Sequence, residues 1–228
     1  MHQNDVPRRV LLREILVLFA ALFLPGIIAQ SGTIDPGAFN NITYHVQTIT
    51  IALAQSLLVL HVLSLHGDTG TERFGFVPLR LSRVAVGLAV GVGLILIVLP
   101  VGALEQVLSE RSGNVTPGVR FRLERPELLP LVIPTSLAIG YREEVFFRAF
   151  LLPRLEDLGA SPATAVIVST AAFAVGHLYQ GILGGVVAAA IGAVLAIVFL
   201  RRRDVHVVAV AHAAYNAAVL MTSYFIFS

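Results

Sequence analysis

Long apolar runs follow one another almost end to end along this chain, broken only by short polar interruptions. A helix needs about 20 apolar residues to cross the hydrocarbon of a bilayer. Seven stretches meet that length, with ends uncertain by a few residues: 10–30, 45–66, 83–108, 127–158, 161–179, 181–200 and 204–227. The pattern predicts an all-α fold, a polytopic transmembrane helical bundle of about seven membrane helices. No long linker, low-complexity tract or internal repeat divides it, so one membrane domain is expected overall.

Local signals refine the picture. The fourth stretch carries Pro126, Pro130 and Pro134 in its first half and Pro153 near its end, and proline removes a backbone donor and kinks a helix. That stretch is expected to be broken. Gly159 reads as a helix stop, and Ser161-Pro162 as a start with Ser161 at the N-cap. The sixth stretch has small residues at four-residue spacing (Gly181, Gly185, Ala189, Ala193, with Gly184, Ala188, Gly192 and Ala196 beside them), a close-packing face. The first stretch follows Arg8, Arg9 and Arg13 like a secretory signal, but its apolar run is long and no small-x-small site follows, so an uncleaved helix is expected.

Composition supports the membrane reading. Of 228 residues, 56% are hydrophobic and 13% charged, against roughly a quarter charged in soluble domains. No cysteine is present, which excludes disulfides, thiolate metal sites and a cysteine nucleophile. All positive charge is arginine, spread over loops rather than gathered in a stripe, so no nucleic-acid partner is expected. With the N-terminus inside, the inner loops hold Arg8, Arg9, Arg13, Arg73, Arg80, Arg83, Arg154 and Arg201 to Arg203. The outer ones hold Arg111, Arg120, Arg122 and Arg125. Ten against four favours N-inside.

Against this background three polar motifs stand out: Glu143-Glu144-Val145-Phe146-Phe147-Arg148, Phe173-Ala174-Val175-Gly176-His177, and His212-Ala213-Ala214-Tyr215-Asn216. Ionisable groups inside a bilayer cost several kcal/mol and usually face a cavity or a partner. Residues four apart share a helix face, so Glu144 reaches Arg148, Phe173 pairs with His177, and His212 with Asn216. Glu143 lies about 100° round the helix from Glu144 and can do a different job. Counting from the turn at Gly159, Glu143 lies roughly 22 Å deep and His177 roughly 24 Å, with His212 and Asn216 roughly 12 to 20 Å deep from the same face. One buried cluster is expected, with the tips of Glu143, His177 and His212 within about 8 Å of one another.

The cluster has no obvious covalent nucleophile but can activate water. In one version Glu143 is a general base and a histidine holds the water or steadies an oxyanion. In the other, Glu143, His177 and His212 ligate a divalent metal such as zinc. Asn216, a weak fourth ligand, tips the balance slightly toward a mechanism that requires no cofactor. Taken singly, the motifs also read as an ion pair fixing register or as polar glue between helices. Arg142 can snorkel, pair with Glu105 or face a substrate. His45, His61 and His66 read as interfacial, and Tyr179-Gln180 as a turn able to line a cavity mouth.

The ordered motifs Glu-Glu-x-x-x-Arg, Phe-x-x-x-His and His-x-x-x-Asn resemble the CAAX-protease and bacteriocin-processing family (CPBP, or Abi) of intramembrane endopeptidases. The resemblance covers residues 130–218. It extends to Phe147-Arg148-Ala149-Phe150-Leu151-Leu152-Pro153-Arg154-Leu155, to Phe173-Ala174-Val175-Gly176-His177-Leu178, and to the Gly-rich helix before the third motif. It implies that Glu143 activates the attacking water with help from His177, and that His212 and Asn216 form the oxyanion-stabilising or water-holding side. Glu144 and Arg148 would support the site and Phe173 shape it. Members are described both as metalloproteases and as metal-free glutamate proteases. Eukaryotic members cleave prenylated CAAX proteins, and prokaryotic ones serve peptide maturation, bacteriocin immunity or regulation. The implied partners are the lipid bilayer and a protein or peptide substrate, prenylated or membrane-inserted, in a prokaryotic plasma membrane. Residues 1–127 would be variable helices and 128–228 the catalytic core. The competing class is a non-enzymatic immunity, transport or scaffold protein, although transporters usually show inverted repeats with paired broken helices, and one broken segment stands here without a partner. A zinc protease of the His-Glu-x-x-His type is excluded by the absence of that motif.

Overall fold

The computed structural model describes residues 6–29, 35–67, 72–112 and 121–227, and of residues 29, 102–112, 226 and 227 only the backbone. The described residues form α1 (Arg8–Leu22), α2 (Leu24–Ala29), α3 (Ile42–Leu65), α4 (Leu81–Ser112), α5 (Leu129–Glu144), α6 (Leu152–Asp157), α7 (Pro162–Val175), α8 (Gly181–Arg202) and α9 (Val205–Phe227). There is no strand among them. All seven apolar stretches are helical, but not all as single rods. The first divides at Phe23 into α1 and α2, where Pro25 has no N–H for the preceding turn. The fourth runs from a short 3₁₀ turn through α5, then a π-helical stretch at Val145–Leu151, then α6. Its irregularity therefore sits after Glu144, not at the early prolines. Pro130 occupies the first turn of α5, where its missing donor costs nothing, and Pro134 is accommodated inside the helix.

Four helical spans are long and apolar enough to cross a bilayer by length and composition: Ile42–Leu65, Leu81–Val101, Leu178–Arg202 and Val205–Phe225. α7, at 14 residues, is too short to do so alone. Large apolar side chains cover the outside, among them Leu57, Leu96, Ile167 and Ile182. A surface that greasy is suited to hydrocarbon rather than water. The protein is an integral membrane helical bundle.

α9 is the central element. It packs between α4 and α5, while α7 packs on α8 and α3 on α5. Residues 207–213 of α9 are buried on every side. The close approach is set by glycines on its neighbours. A Cβ at Gly140 of α5 would lie 2.8 Å from the Ala209 carbonyl oxygen, and one at Gly87 or Gly91 of α4 would meet α9 at 2.8 and 2.9 Å. The small-residue face of α8 was expected to let the fifth and seventh segments approach. It does so for α7, where a Cβ at Gly192 would stand 3.2 Å from Phe173, whereas α4 and α5 supply the glycines against α9; α8 turns Gly185, Ala188, Gly192 and Ala196 inward with Leu195 and Phe199. A paired substitution checks this packing. Gly140→Ala overpacks the α5–α9 contact and is expected to lower stability in detergent by about 1–3 kcal/mol. Gly93→Ala, at a helical position with nothing within 4 Å, is expected to raise it by roughly 0.5–1 kcal/mol. Thermal unfolding of the two variants reads the contrast, and equal shifts would contradict the packing described.

Several helix ends meet at the turn between α6 and α7. Gly159 takes a φ of +92°, and Ser161 caps α7 by accepting from the Thr164 N–H at 3.2 Å. At this face Arg73 pairs with Asp157 at 2.7 Å, Arg203 with Glu156 at 2.8 Å, Arg83 with Asp204 at 2.6 Å and His66 with Glu14 at 2.7 Å. The segment before α3 packs at the other end against residues 121–125, where the Asn40 side chain accepts from the Glu124 N–H at 2.7 Å. His45 is not interfacial: it is fully buried, bonded to Thr135 Oγ1 at 2.8 Å and to the Phe39 carbonyl at 2.9 Å, and ties α3 to α5.

Candidate active site

Glu143 and Glu144 are the last two residues of α5, both buried. The helix widens immediately afterwards, so Phe146, Phe147, Arg148 and Phe150 all turn into the core. π-helical insertions of this kind are rare and concentrate at functional sites. Arg148 is wholly buried, its Nε 3.1 Å from Glu144 Oε2, an ion pair four residues apart. Its Nη2 donates to the Gly192 carbonyl on α8 at 3.1 Å, and its guanidinium lies 4.8 Å from the Phe173 ring centroid. A Cβ at Gly192 would stand 3.2 Å from Phe173 and 3.6 Å from Arg148, so α8 does more than pack: it gives the buried cation a backbone acceptor.

Glu144 has a second partner that helix spacing does not reveal. Its Oε1 lies 2.8 Å from His212 Nδ1 on α9. A carboxylate only accepts, so Nδ1 carries the proton and Nε2 of a neutral His212 is an acceptor. His177 is arranged likewise. Its Nδ1 is 2.8 Å from the Phe173 carbonyl, which fixes the same tautomer. His177 was expected on the helix face of Phe173, but α7 ends at Val175 with Gly176 as its cap, and His177 sits in the turn before the 3₁₀ segment Leu178–Gln180. The bond to Phe173 preserves the four-residue relation beyond the helix end. The Phe173 ring packs against both imidazoles, at 4.4 Å from His177 and 5.7 Å from His212.

Glu143 faces both rings. Its Oε2 is 3.9 Å from His177 Nε2 and 3.8 Å from His212 Nε2, and it has no hydrogen-bond partner. Its Oε1 accepts from Arg142 Nη2. Of the alternatives for Arg142, pairing with Glu105 falls on a side chain outside the described residues; among the described ones the arginine holds its sequence neighbour, Glu143. Asn216 lines the cavity that Glu143, His177 and His212 share. The structure thus brings Glu143, His177, His212, Asn216, Glu144, Arg148 and Phe173 together.

Residues 125–218 match the family model of Rce1-like proteins, described as type II CAAX prenyl endopeptidase Rce1-like. This segment resembles the Rce1-like, CAAX-protease family. The match spans less than half of the chain, yet it contains every residue of the cluster. No curated protein and no solved structure matches the chain. The family so described is one of CAAX prenyl endopeptidases.

Two cavities meet at the Rce1-like cluster. One of about 300 Å³ contains His212, Tyr215 and Asn216 in its wall. A larger one of about 600 Å³ is bounded by Leu22, Phe23 and Ile27 from the first helical pair, by Tyr44 and Gln47 of α3, and by Phe147 and Phe173. Arg142, Glu143, His177 and Tyr179 line both, so the carboxylate stands on the partition. Phe23, Tyr44 and Phe121 carry no sequence motif, and only the folded chain identifies them as chamber walls. Tyr179 and Gln180, in the 3₁₀ turn after His177, line the smaller cavity.

The spacing of the cluster bears on zinc. Donors on a tetrahedral zinc with bonds of 2.0–2.1 Å stand roughly 3.3 Å apart. The nitrogen-to-oxygen separations here are 3.8 and 3.9 Å, and Glu143 already carries a guanidinium on its other oxygen. Among the described residues no group of three or more His, Cys, Asp or Glu side chains is placed to hold a metal ion. Those nitrogen-to-oxygen separations are wider than a tetrahedral zinc would set between two of its ligands.

Proposed function

We propose that this chain hydrolyses a peptide bond of a membrane-embedded or lipidated protein by means of a water held between Glu143, His177 and His212. The observation that carries this reading is the gap at Glu143 Oε2. Glu143 Oε2 faces the Nε2 atoms of His177 and His212 at 3.9 and 3.8 Å, too far for a direct hydrogen bond and suited to a bridging water. Such a water donates one hydrogen to Glu143 and one to a histidine, which leaves an oxygen lone pair for the substrate. Glu143 takes the water's proton as the new C–O bond forms, and returns it to the leaving amine as the C–N bond breaks. Asn216 supplies an amide N–H to the tetrahedral oxyanion, while the imidazole Nε2 atoms accept the water's second hydrogen and hold its oxygen for attack. Glu144 holds the His212 ring, and the Phe173 carbonyl holds the His177 ring; both act as positioning groups. The apolar wall of the 600 Å³ chamber suits a hydrophobic or prenylated stretch of substrate.

The reaction on this reading requires no metal. Purified protein washed with chelator and checked by elemental analysis is expected to keep its peptide-cleaving activity with far less than one zinc per chain. Stoichiometric zinc whose removal abolishes cleavage, and whose return restores it, would overturn the metal-free mechanism.

A further inference from the structure

Arg142 precedes the two glutamates, stands outside the motif resemblance and has no part in the reaction as derived. Its guanidinium lines both cavities and lies 5.7 Å from the ring centroid of Phe23, across the larger chamber. Its side chain is 22% exposed, so it has room to move, and its Nε is buried without a hydrogen-bond partner. An unmet buried donor is unfavourable until a ligand supplies an acceptor. Nε and Nη2 form one edge of the guanidinium, the edge that grips a carboxylate with two parallel bonds. Nη2 is the nitrogen that now holds Glu143.

We propose that Arg142 is a specificity residue that binds a carboxylate of the substrate in the larger chamber, by exchange from Glu143. This rests on the reading of the Glu143 cluster as a peptide-hydrolysing site. An incoming carboxylate satisfies Nε and competes for Nη2 in a single step, and the exchange removes from Glu143 an ion pair that competes with proton transfer to it. Two anions in the chamber wall, Glu143 and Asp35, oppose an incoming carboxylate, Glu143 as the competitor for Arg142 and Asp35 only weakly because it faces solvent. Asp35 is exposed and its carboxylate accepts from the Gly37 N–H at 2.8 Å, and Arg142 is the only arginine among the described lining residues. Two sources supply such a carboxylate, the C-terminus of a peptide or an acidic side chain near the cut bond.

Binding tests this without reference to cleavage. The probes are one N-octanoyl tetrapeptide of apolar residues as free acid, the same peptide as C-terminal amide, and the amide with Asp in the last position. The wild type in detergent is expected to bind the free acid at least about tenfold more tightly than the amide, and Arg142→Gln to bring that ratio close to one. Arg142→Lys keeps the charge without the fork and should give an intermediate ratio, which also guards against a folding defect in the glutamine variant. Removing the competitor by Glu143→Gln is expected to tighten free-acid binding roughly five- to tenfold and leave the amide unchanged. An Asp-amide that binds like the free acid assigns Arg142 to any carboxylate within reach, and one that binds like the plain amide assigns it to the C-terminus. An acid-to-amide ratio unaltered by Arg142→Gln, including a ratio of one in the wild type, would overturn the proposal. So would a Glu143→Gln protein whose ratio equals that of the wild type. Cleavage retained by Glu143→Gln in a parallel assay would instead sink the hydrolytic reading and leave the binding ratios to judge Arg142.

Discussion

Glu143→Gln is expected to leave the fold intact and to lower the cleavage rate by a factor on the order of 10⁴, the upper end of what a positioned general base contributes. The substitution is nearly isosteric. Glu143 touches Arg142 and faces two imidazoles across a gap, and none of these contacts holds the helices together. The buried packing around it comes from Phe146, Phe147 and Phe173 and stays in place. Unfolding temperature and peptide cleavage measured on the same sample separate the two effects. A variant that cuts at a near-normal rate would remove the base from the mechanism.

Glu144→Gln, one residue on, is expected to fail differently. Arg148 and Glu144 are both fully buried, and Glu144 is the anion that Arg148 pairs with at 3.1 Å. Breaking a buried pair by removing one partner leaves an uncompensated charge and costs about 3–5 kcal/mol. That is a large part of the stability of a typical domain, so low yield and early unfolding are expected together with lost activity. Removing both charges, as Glu144→Leu with Arg148→Met, should recover much of the stability, because no charge is then left alone. Activity should stay low, because His212 Nδ1 loses the acceptor that fixes its ring. A Glu144→Gln protein as stable as the wild type would show that the pair does not carry the core in this way.

Much of this architecture is written in local chemistry. The apolar runs announce the helices, and Ser161-Pro162 announces the start of α7. The four-residue spacing of Glu144 and Arg148 announces their pairing. The site was legible as far as its membership, because ionisable groups are rare enough in apolar segments for each to call for a partner. Its wiring was not legible. Glu144 reaches His212, 68 residues away, because α5 packs closely on α9, and no local spacing signals a contact of that range; nor does any residue in Val145–Leu151 signal the π-helical change of pitch by itself. Arg142 was ambiguous for a related reason, since a long side chain at a helix end has several partners within reach and only the packing chooses. The chamber walls at Phe23, Tyr44 and Phe121 come from shape, and apolar residues in an apolar chain carry no mark of what they will enclose. The glycines that seat α9 were hidden similarly, because Gly87, Gly91 and Gly140 show no repeat as conspicuous as that of α8.

The account stands or falls on whether this chain cuts a protein in its own membrane with Glu143. The most direct measurement is a mass-spectrometric survey of protein C-termini in membranes that contain equal amounts of the wild type or of Glu143→Gln. The account predicts at least one new C-terminus, lying within or beside an apolar or lipidated segment, that is present with the wild type and missing with the variant. Identical sets of C-termini from two folded, equally abundant proteins would contradict it.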